Sequence, residues 1–533
     1  MFINILCKGC VTVTDQKNNA RSMYLGIELG STRIKACLVD DDFLQIASGA
    51  YEWENKIIDG YWTYDIEEIH NGVRECYADL RSDFIEKTGE ELTEITAVGI
   101  SGMMHGYLVF DKNMKLLTPF RTWRNTMTEE AAMELSDLFG FNIPQRWSIA
   151  HLYQAILNDE PHVEKIAHIT TVSGYIHYLL TGKHEIGICE GSGMFPFNGY
   201  DYDNNKLDMF DELVADKNLP WRIRDILPDI RKSNDCSTVL TEQGAKFLDK
   251  SENLPAGVPV CAPEGDAVTG MAATNSVKVK TGNISAGTSV FALLVLEKEI
   301  EGVYPEIDIL MTPDAHQVAL IHSNNGCSEL DAWVKVFSEF AAMLGVDADK
   351  SAIYKLLYEN ALSGDYDCGE VVSYNCLAGE PVSGIEVGRP MVFRTQNSKL
   401  TLANFFRSQI YSAVAVLKIG MDMLEEKEKI SADNFTAHGG LFKVEGVAQQ
   451  LLANTLNVPV SISASAGEGG AWGMALLAAY SIAGRSRSLG QWLDECVFKN
   501  IEKTTLQPEK AKKEGYDSFF ALYKEGLGMF NNI

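Results

Sequence analysis

Residues 24–40 read Tyr24-Leu-Gly-Ile-Glu-Leu-Gly-Ser-Thr-Arg-Ile-Lys-Ala-Cys-Leu-Val-Asp40. The pattern is an apolar strand, a small-residue turn at Gly30-Ser31-Thr32, and a second strand with alternating side chains. Gly30 allows a tight turn and close approach of a ligand to the backbone, while Ser31 and Thr32 add hydroxyl donors. Backbone N–H groups that face one way form a nest for an anion such as a nucleotide phosphate. A Gly-Ser-Thr turn can also be a plain hairpin. The second appearance of the same pattern, Gly282-Asn-Ile-Ser-Ala-Gly-Thr-Ser-Val-Phe-Ala-Leu-Leu-Val295, adds weight. Two such hairpins point to a duplicated domain with a phosphate chain held between the copies.

A chain of 533 residues exceeds one core and should hold two or three domains. Its net charge of −27 argues against a nucleic-acid or anionic-membrane surface, since both need a basic footprint. An anionic ligand would then depend on locally arranged N–H groups and a metal ion. The eleven cysteines are scattered through ordinary core sequence, as in a cytosolic protein with reduced thiols. Cys7 and Cys10 form a lone C-x-x-C without a second pair, which reads as incidental spacing. No apolar run approaches the roughly 20 residues that span a bilayer. A soluble, cytoplasmic protein is expected.

Residues 1–22 read as an N-terminal extension. Strands are expected at 23–29, 33–40 and 43–51, with a helix from Asp65 to about Phe84 whose first turn is acidic. Residues 95–101 form a buried strand that ends on Gly102-Met-Met-His-Gly106, and Tyr107–Phe110 with the turn at 111–113 reads as a short hairpin. Residues 119–258 look like a helical insertion lining one wall of a cleft, with helices near 129–139 and 150–158. A strand at 258–262 leads through Pro263-Glu-Gly-Asp266 into a small-residue helix. Later come a strand near 317–322 and helices near 328–344, 351–361 and 402–425. Residues 435–438 form a strand running into Gly439-Gly440-Leu-Phe-Lys443, followed by a helix to Leu456 and a strand at 460–462. Gly469-Gly-Ala-Trp-Gly473 starts another helix. A strand, a glycine pair and a helix leave a flat backbone surface that can sit against a nucleoside.

With these residues in order the chain resembles the FGGY carbohydrate kinases of the actin-like ATPase superfamily, the xylulokinase and ribulokinase branch most of all. The resemblance runs from about Met23 to Ala483 and rests on Gly26–Lys35, Gly102–Gly106, Trp123–Asn125, Gly265–Gly270, Ser285–Ser289, and Gly439–Gly440 with Gly469–Gly473. It implies an α/β chain with two ribonuclease-H-like domains and ATP, Mg²⁺ and a sugar in the cleft between them. The sugar-binding domain would span 23–271 and the nucleotide-binding domain 272–533. A homodimer is expected by the same analogy.

Phosphoryl transfer needs an in-line acceptor oxygen, neutralised phosphate charge and a carboxylate that takes the hydroxyl proton. Asp266 matches the family's catalytic base in its Gly-Asp-Ala pattern. The resemblance implies a magnesium ion among Glu28, Asp266 and the ATP phosphates. Relatives usually carry Asp where this chain has Glu28, and the extra methylene moves the carboxylate by about 1.5 Å. Met103-Met104-His105-Gly106 matches the xylulokinase sugar loop, with His105 bonding a hydroxyl and Met104 making apolar contact. Trp123, Arg124 and Asn125 are further expected sugar contacts. For ATP the expected residues are Gly30, Ser31, Thr32 and Lys35, then Gly287 and Thr288 at the phosphates, and Gly439, Gly440 and Lys443 at the nucleoside. Two signature segments depart from the family, Ser148–Gln154 and Phe406–Ser412, as in an outlying subfamily.

The function expected is ATP-dependent phosphorylation of a ketopentose such as xylulose or ribulose. The alternatives are a kinase of glycerol, gluconate or a deoxyhexulose, and a sugar- and nucleotide-binding regulator without catalysis.

Overall fold

A computed structural model describes residues 22–347, 349–464, 469–484 and 486–530. The Cys7–Cys10 pair and all of the expected N-terminal extension except Ser22 lie outside the described residues. The described residues divide into two compact units. One lies within Met1–Ala273, Met311–Ala315 and Glu468–Lys499, the other within Thr274–Leu310, His316–Gly467 and Asn500–Ile533.

The first unit is built on a five-stranded sheet of β1 (Tyr24–Leu29), β2 (Arg33–Val39), β3 (Gln45–Glu52), β4 (Ala97–Gly102) and β5 (Glu264–Gly265). Its order is β5-β4-β1-β2-β3. β1 and β2 are antiparallel in a register that sets Glu28 opposite Lys35, and β1 runs parallel to β4. The helix Ile66–Thr88 covers one face with Ile69, Val73, Cys76, Tyr77, Leu80 and Phe84, a helical stripe of buried residues. Asp65 caps it by accepting from the Glu67 and Glu68 N–H groups, and Gly89 ends it at φ 75°.

The other face receives the helix Gly469–Ala483, whose residues from Ala471 to Ser481 are buried without a break. A methyl group at Gly26 would fall 2.1 Å from the Ala471 carbonyl, so helix and strand lie flush. A simple break at residue 271 therefore misses part of the division. The chain after it contributes Met311–Ala315 and the helix at 469–483 to the first unit, because this all-round apolar helix fits the open face of the first sheet.

The second unit holds a seven-stranded sheet of β6 (Thr281–Ala286), β7 (Val290–Val295), β8 (Asp308–Met311), β9 (Gln317–Ser323), β10 (Asn434–His438), β11 (Val460–Ser463) and β12 (Lys503–Leu506). The order is β8-β9-β7-β6-β10-β11-β12. β6 is antiparallel to β7 and parallel to β10, β7 is antiparallel to β9, and β10 is parallel to β11. The same succession of pairings links β3, β2, β1, β4 and β5, so the repeat seen in the two hairpins extends to both sheets. The helix Leu402–Glu428 supplies much of this unit's core.

Two local expectations change. Residues 258–262 make only isolated bridges, Val98 to Val260 and Val239 to Pro259, and the ladder is formed by Glu264–Gly265. Leu108–Phe110 pairs with His168–Thr170 rather than closing a local hairpin, which is reduced to a bridge between Phe110 and Leu116.

Candidate functional site

The Gly30–Thr32 turn is tied down by aromatic donors. Trp53 Nε1–H donates to the Gly30 carbonyl at 2.7 Å, the Tyr64 hydroxyl donates to the Ser31 carbonyl, and Trp123 Nε1–H reaches Ser31 Oγ at 3.3 Å. Glu28 points from β1 to the N-terminus of the helix Gly469–Ala483. Its Oε1 lies 1.9 Å from where a Gly470 Cβ would stand, and its carboxylate accepts the Ala471 N–H. The longer side chain is thus received where exposed N–H groups favour an anion. Burial raises the Glu28 carboxyl, against the Lys35 ammonium and the Ala471 N–H, which hold it down.

The loop after β4 carries Met104 and His105. His105 adopts φ 67° and Gly106 φ 86°, and such strain in a non-glycine residue clusters at functional sites. Nδ1 of His105 lies 3.0 Å from the Gly193 carbonyl, to which it can only donate. Burial, with the Arg146 charge adding to it, pushes the ring down to about 3, so it is neutral. Nε2 is left as an acceptor. Met104 packs on Gly265, its Cγ and Sδ lying 2.3 and 2.7 Å from where a Gly265 Cβ would stand, and its N–H donates to the Asp266 carboxylate.

Asp266 opens the helix Asp266–Ala273, where its carboxylate also accepts its own N–H and that of Ala267. The residue is exposed at the surface, yet the protein packed around it takes hydration from the carboxyl. That desolvation, with the Glu28 charge second, pushes the carboxyl up to about 7. Two further carboxyls lie close by. Glu264, pushed up to about 8 by burial, accepts the N–H groups of Ile188, Cys189 and Glu190. Glu190 is fully buried and raised well above its ordinary value, again by burial first.

Of the expected sugar-facing residues, Trp123 is half-buried and Arg124 stacks at 4.1 Å over the Trp62 ring. Asn125 is differently employed. It is buried, its Oδ1 accepts the Trp62 N–H, and its amide donates to the Trp62 and Thr122 carbonyls. Both amide donors being spent on backbone, Asn125 is a brace for the 61–63 segment and not a donor to a ligand.

In the second unit the Gly287–Thr288 turn is held by backbone alone. Gly326 N–H donates to the Thr288 carbonyl and Cys327 N–H to the Gly287 carbonyl, both at 2.8 Å. Gly439, at φ 104° and ψ −177°, lies so close that a Cβ would meet the Ala286 carbonyl at 2.4 Å. The turn and the glycine pair thus meet at Ala286, with Gly440 and Lys443 exposed beside them. Asp331, which feels the Lys443 charge, lines a cavity of about 550 Å³ with Ser328, Lys335 and Lys350.

Residues 23–273 match the N-terminal domain, and residues 282–482 the C-terminal domain, of the FGGY family of carbohydrate kinases. The chain belongs to that family. This FGGY kinase is an ATP-dependent carbohydrate kinase with the two-domain, mixed α/β fold of the actin-like ATPases. It is 21% identical to a xylulose kinase of Haemophilus influenzae over 529 residues, covering 94% of this chain and 98% of the relative. It is 26% identical to a glycerol kinase of Thermococcus kodakarensis over 294 residues, 52% of this chain and 54% of that one. The crystal structure of a xylulose kinase from Rhodospirillum rubrum superposes with a TM-score of 0.77 at 16% identity, covering 96% of this chain and all of the other.

In this FGGY kinase the sequence did not single out Arg146, Gly326, Cys327, Glu190 or Glu264. Arg146 raised no local signal, yet its carbonyl accepts the Gly106 N–H and its charge reaches His105. Among the described residues no group of three or more His, Cys, Asp or Glu side chains could hold a metal ion. No helix among them is long and apolar enough to cross a membrane.

Proposed function

We propose that this kinase transfers the γ-phosphoryl group of ATP to a hydroxyl of a ketopentose of the xylulose or ribulose type, with Asp266 as general base. The observation that carries the proposal is the junction of Met104 and Asp266. The backbone N–H of the loop that presents His105 also holds the Asp266 carboxylate, so a hydroxyl placed by one is in reach of the other. Likeness to xylulose kinases along nearly the whole chain supports the sugar class.

In this reading His105 Nε2 accepts a hydrogen bond from one sugar hydroxyl, Met104 supplies an apolar wall, and Trp123 and Arg124 border the sugar. Asp266 takes the proton of the attacking hydroxyl, its lone pairs aimed by three backbone N–H groups. The proposal assigns ATP phosphates to Gly30, Ser31, Thr32 and Lys35 and to Gly287 and Thr288. The nucleoside goes to Gly439, Gly440 and Lys443.

Glu28 and Asp266 are two like-charged carboxylates that raise the cost of ionising both, and an all-oxygen pair suits Mg²⁺, which takes few protein ligands and completes its shell with phosphate and water. When bound, magnesium would neutralise charge on the transferred phosphoryl oxygens.

The test is ADP release with ATP and Mg²⁺ over a panel of ketopentoses, polyols, gluconate and deoxyhexuloses, run on the parent and on Asp266→Asn. The expected result is highest kcat/KM for a ketopentose, and a loss of about 10²–10⁴ in kcat with sugar affinity kept in the variant. Preference for glycerol or gluconate would replace the sugar assignment, and near-normal turnover by Asp266→Asn would remove the base.

A further inference from the structure

The carboxyl side chain of Glu190 stands directly under the segment that carries Asp266, and nothing in the mechanism above uses it. It belongs to the short helix Ile188–Ser192 and is wholly buried. Its Oε1 accepts the Ser173 hydroxyl at 3.2 Å, with Thr171 bonding to the same carboxyl. Its Oε2 is buried without a hydrogen-bond partner. That oxygen lies 2.4 Å from where a Gly265 Cβ would be, on the side of Gly265 where the Met104 Cγ stands 2.3 Å from the same point. Glu190 and Met104 therefore bear together on the Cα of Gly265, the residue immediately before Asp266.

The link is reciprocal. Glu264, just before Gly265, accepts the Glu190 N–H at 3.2 Å, and its carboxyl sits 2.2 Å from a built Gly187 Cβ. The short helix is thus fastened to β5 by Glu264, and the Glu190 side chain returns from that helix onto β5. The leading charges that act on Glu190 are the carboxyls of Asp266 and Glu264, not a cation. A fully buried carboxyl without a cation is costly to keep in a fold unless its position has a use.

We propose that Glu190 is a positioning residue for phosphoryl transfer: braced by Ser173 and Thr171, it fixes Gly265 from below and so sets where the Asp266 carboxylate and the Met104 wall stand relative to the sugar hydroxyl. The inference rests on Asp266 being the base. It explains why the pair Gly187 and Gly265 is needed, since side chains there would displace the two carboxyls. A misplacement of about 1 Å at a reacting group is enough to cost about 100-fold in rate.

The experiment compares Glu190→Asp, which withdraws the carboxyl from Gly265 by one methylene, with Glu190→Gln, which keeps the length. Each is made in the parent and in Asp266→Asn, using the full chain, ATP, Mg²⁺ and the sugar turned over fastest in the panel. Glu190→Asp is expected to lower kcat at least tenfold with sugar KM changed less than threefold, and Glu190→Gln to restore kcat to within threefold of the parent. In the Asp266→Asn background Glu190→Asp should cost less than twofold, because the two residues act as one unit. Melting temperatures measured alongside separate a folding defect from a positioning one. Equal losses in both backgrounds, a Gln variant as impaired as Asp, or a kcat loss matched only by a fall in melting temperature would overturn the role of Glu190 while leaving Asp266 as base. Normal turnover by Asp266→Asn alone would remove the base, and Glu190's role with it.

Discussion

The two glycine turns that mark the repeat are secured by different means. The Gly30–Thr32 turn is held by side chains, with Trp53, Tyr64 and Trp123 donating to it. The Gly287–Thr288 turn is held by the backbone of Gly326 and Cys327, and by Gly439 pressed on Ala286. Neither Gly30 nor Gly287 has φ in the left-handed region, and a Cβ on Gly287 would meet no protein atom nearer than 4.0 Å. Beside that turn, Gly439 is both strained and crowded. A turn fixed by large side chains tolerates small backbone changes, whereas one fixed by backbone contact fails where a Cβ would enter that contact, as at Gly439.

The largest effect that follows is at Gly439. Its φ and ψ lie in a region open essentially to glycine alone, and a Cβ would strike the Ala286 carbonyl. Gly439→Ala should cost on the order of 3 kcal/mol, enough for about a hundredfold in binding. ATP titration calorimetry should show that loss together with a lower melting temperature. Gly287→Ala should leave the melting temperature unchanged and weaken ATP alone, since the space it fills is open. If Gly287→Ala lowers stability as much as Gly439→Ala, the contrast between the turns is wrong.

The units also differ in their histidines. In the first, His70, His105, His151, His162, His168, His177 and His184 all have lowered pKa values, burial being the largest cause for each, against His438 in the second. A histidine kept neutral in the fold but free to charge when unfolded contributes stability above pH about 6.5 and loses it as pH falls toward its folded value. For His105 and His151 that value is about 3. Each removes up to about 2 kcal/mol between pH 6.5 and 5. The raised carboxyls of Glu28, Glu190, Glu264 and Asp266 oppose this, since the contribution of each declines as pH rises from the ordinary carboxylate range, for Glu264 to about 8 and for Asp266 to about 7. With seven such histidines against four such carboxyls, the first unit is expected to open earlier on acidification. Hydrogen exchange read peptide by peptide at pH 7.5 and 5 checks this, and equal protection losses in both units would contradict it.

A smaller change probes the side-chain clasp itself. Trp53→Phe keeps the ring that stacks at 4.2 Å on Tyr64 and deletes only the donor to the Gly30 carbonyl. The cost should be about 1 kcal/mol, a melting shift of about 2–4 °C. No shift would mean that the remaining donors hold the turn without it.

The parts legible in the sequence were those with local causes. A strand, a small-residue turn and a strand are written in adjacent residues, as is the Asp65 cap and the buried stripe that follows it. The glycine pair after β10 carried its own signal. Partnerships across long separations did not. Asn125 looks like a free polar residue until Trp62, 63 positions earlier, is found to donate its N–H to Oδ1 and to take one amide donor at its carbonyl, with the Thr122 carbonyl taking the other. Glu190 sits in an unremarked Ile-Cys-Glu-Gly-Ser run, and only Glu264, 74 residues later, reveals its place. The apolar helix at 469–483 was visible as a helix, but its sequence does not say which sheet it will cover, and it covers that of the first unit.

The smallest expected effect concerns His151, in one of the segments that depart from the family pattern. Its ring is fully buried, stacks at 6.2 Å on Tyr107, and has no partner for either nitrogen. The charge that faces it, Arg121, opposes its protonation as burial does. A buried polar group with no partner costs about 1–3 kcal/mol, so an apolar replacement of similar size relieves that cost while losing some ring contact. His151→Leu should accordingly be neutral or stabilising by up to about 1 kcal/mol at pH 7.5 and should flatten the acid sensitivity of the first unit. Unfolding in urea at pH 7.5 and 5 measures both quantities. A variant less stable at pH 7.5 with an undiminished pH slope would show that His151 has a partner in solution, and the contrast in histidine load between the units would then have to exclude it.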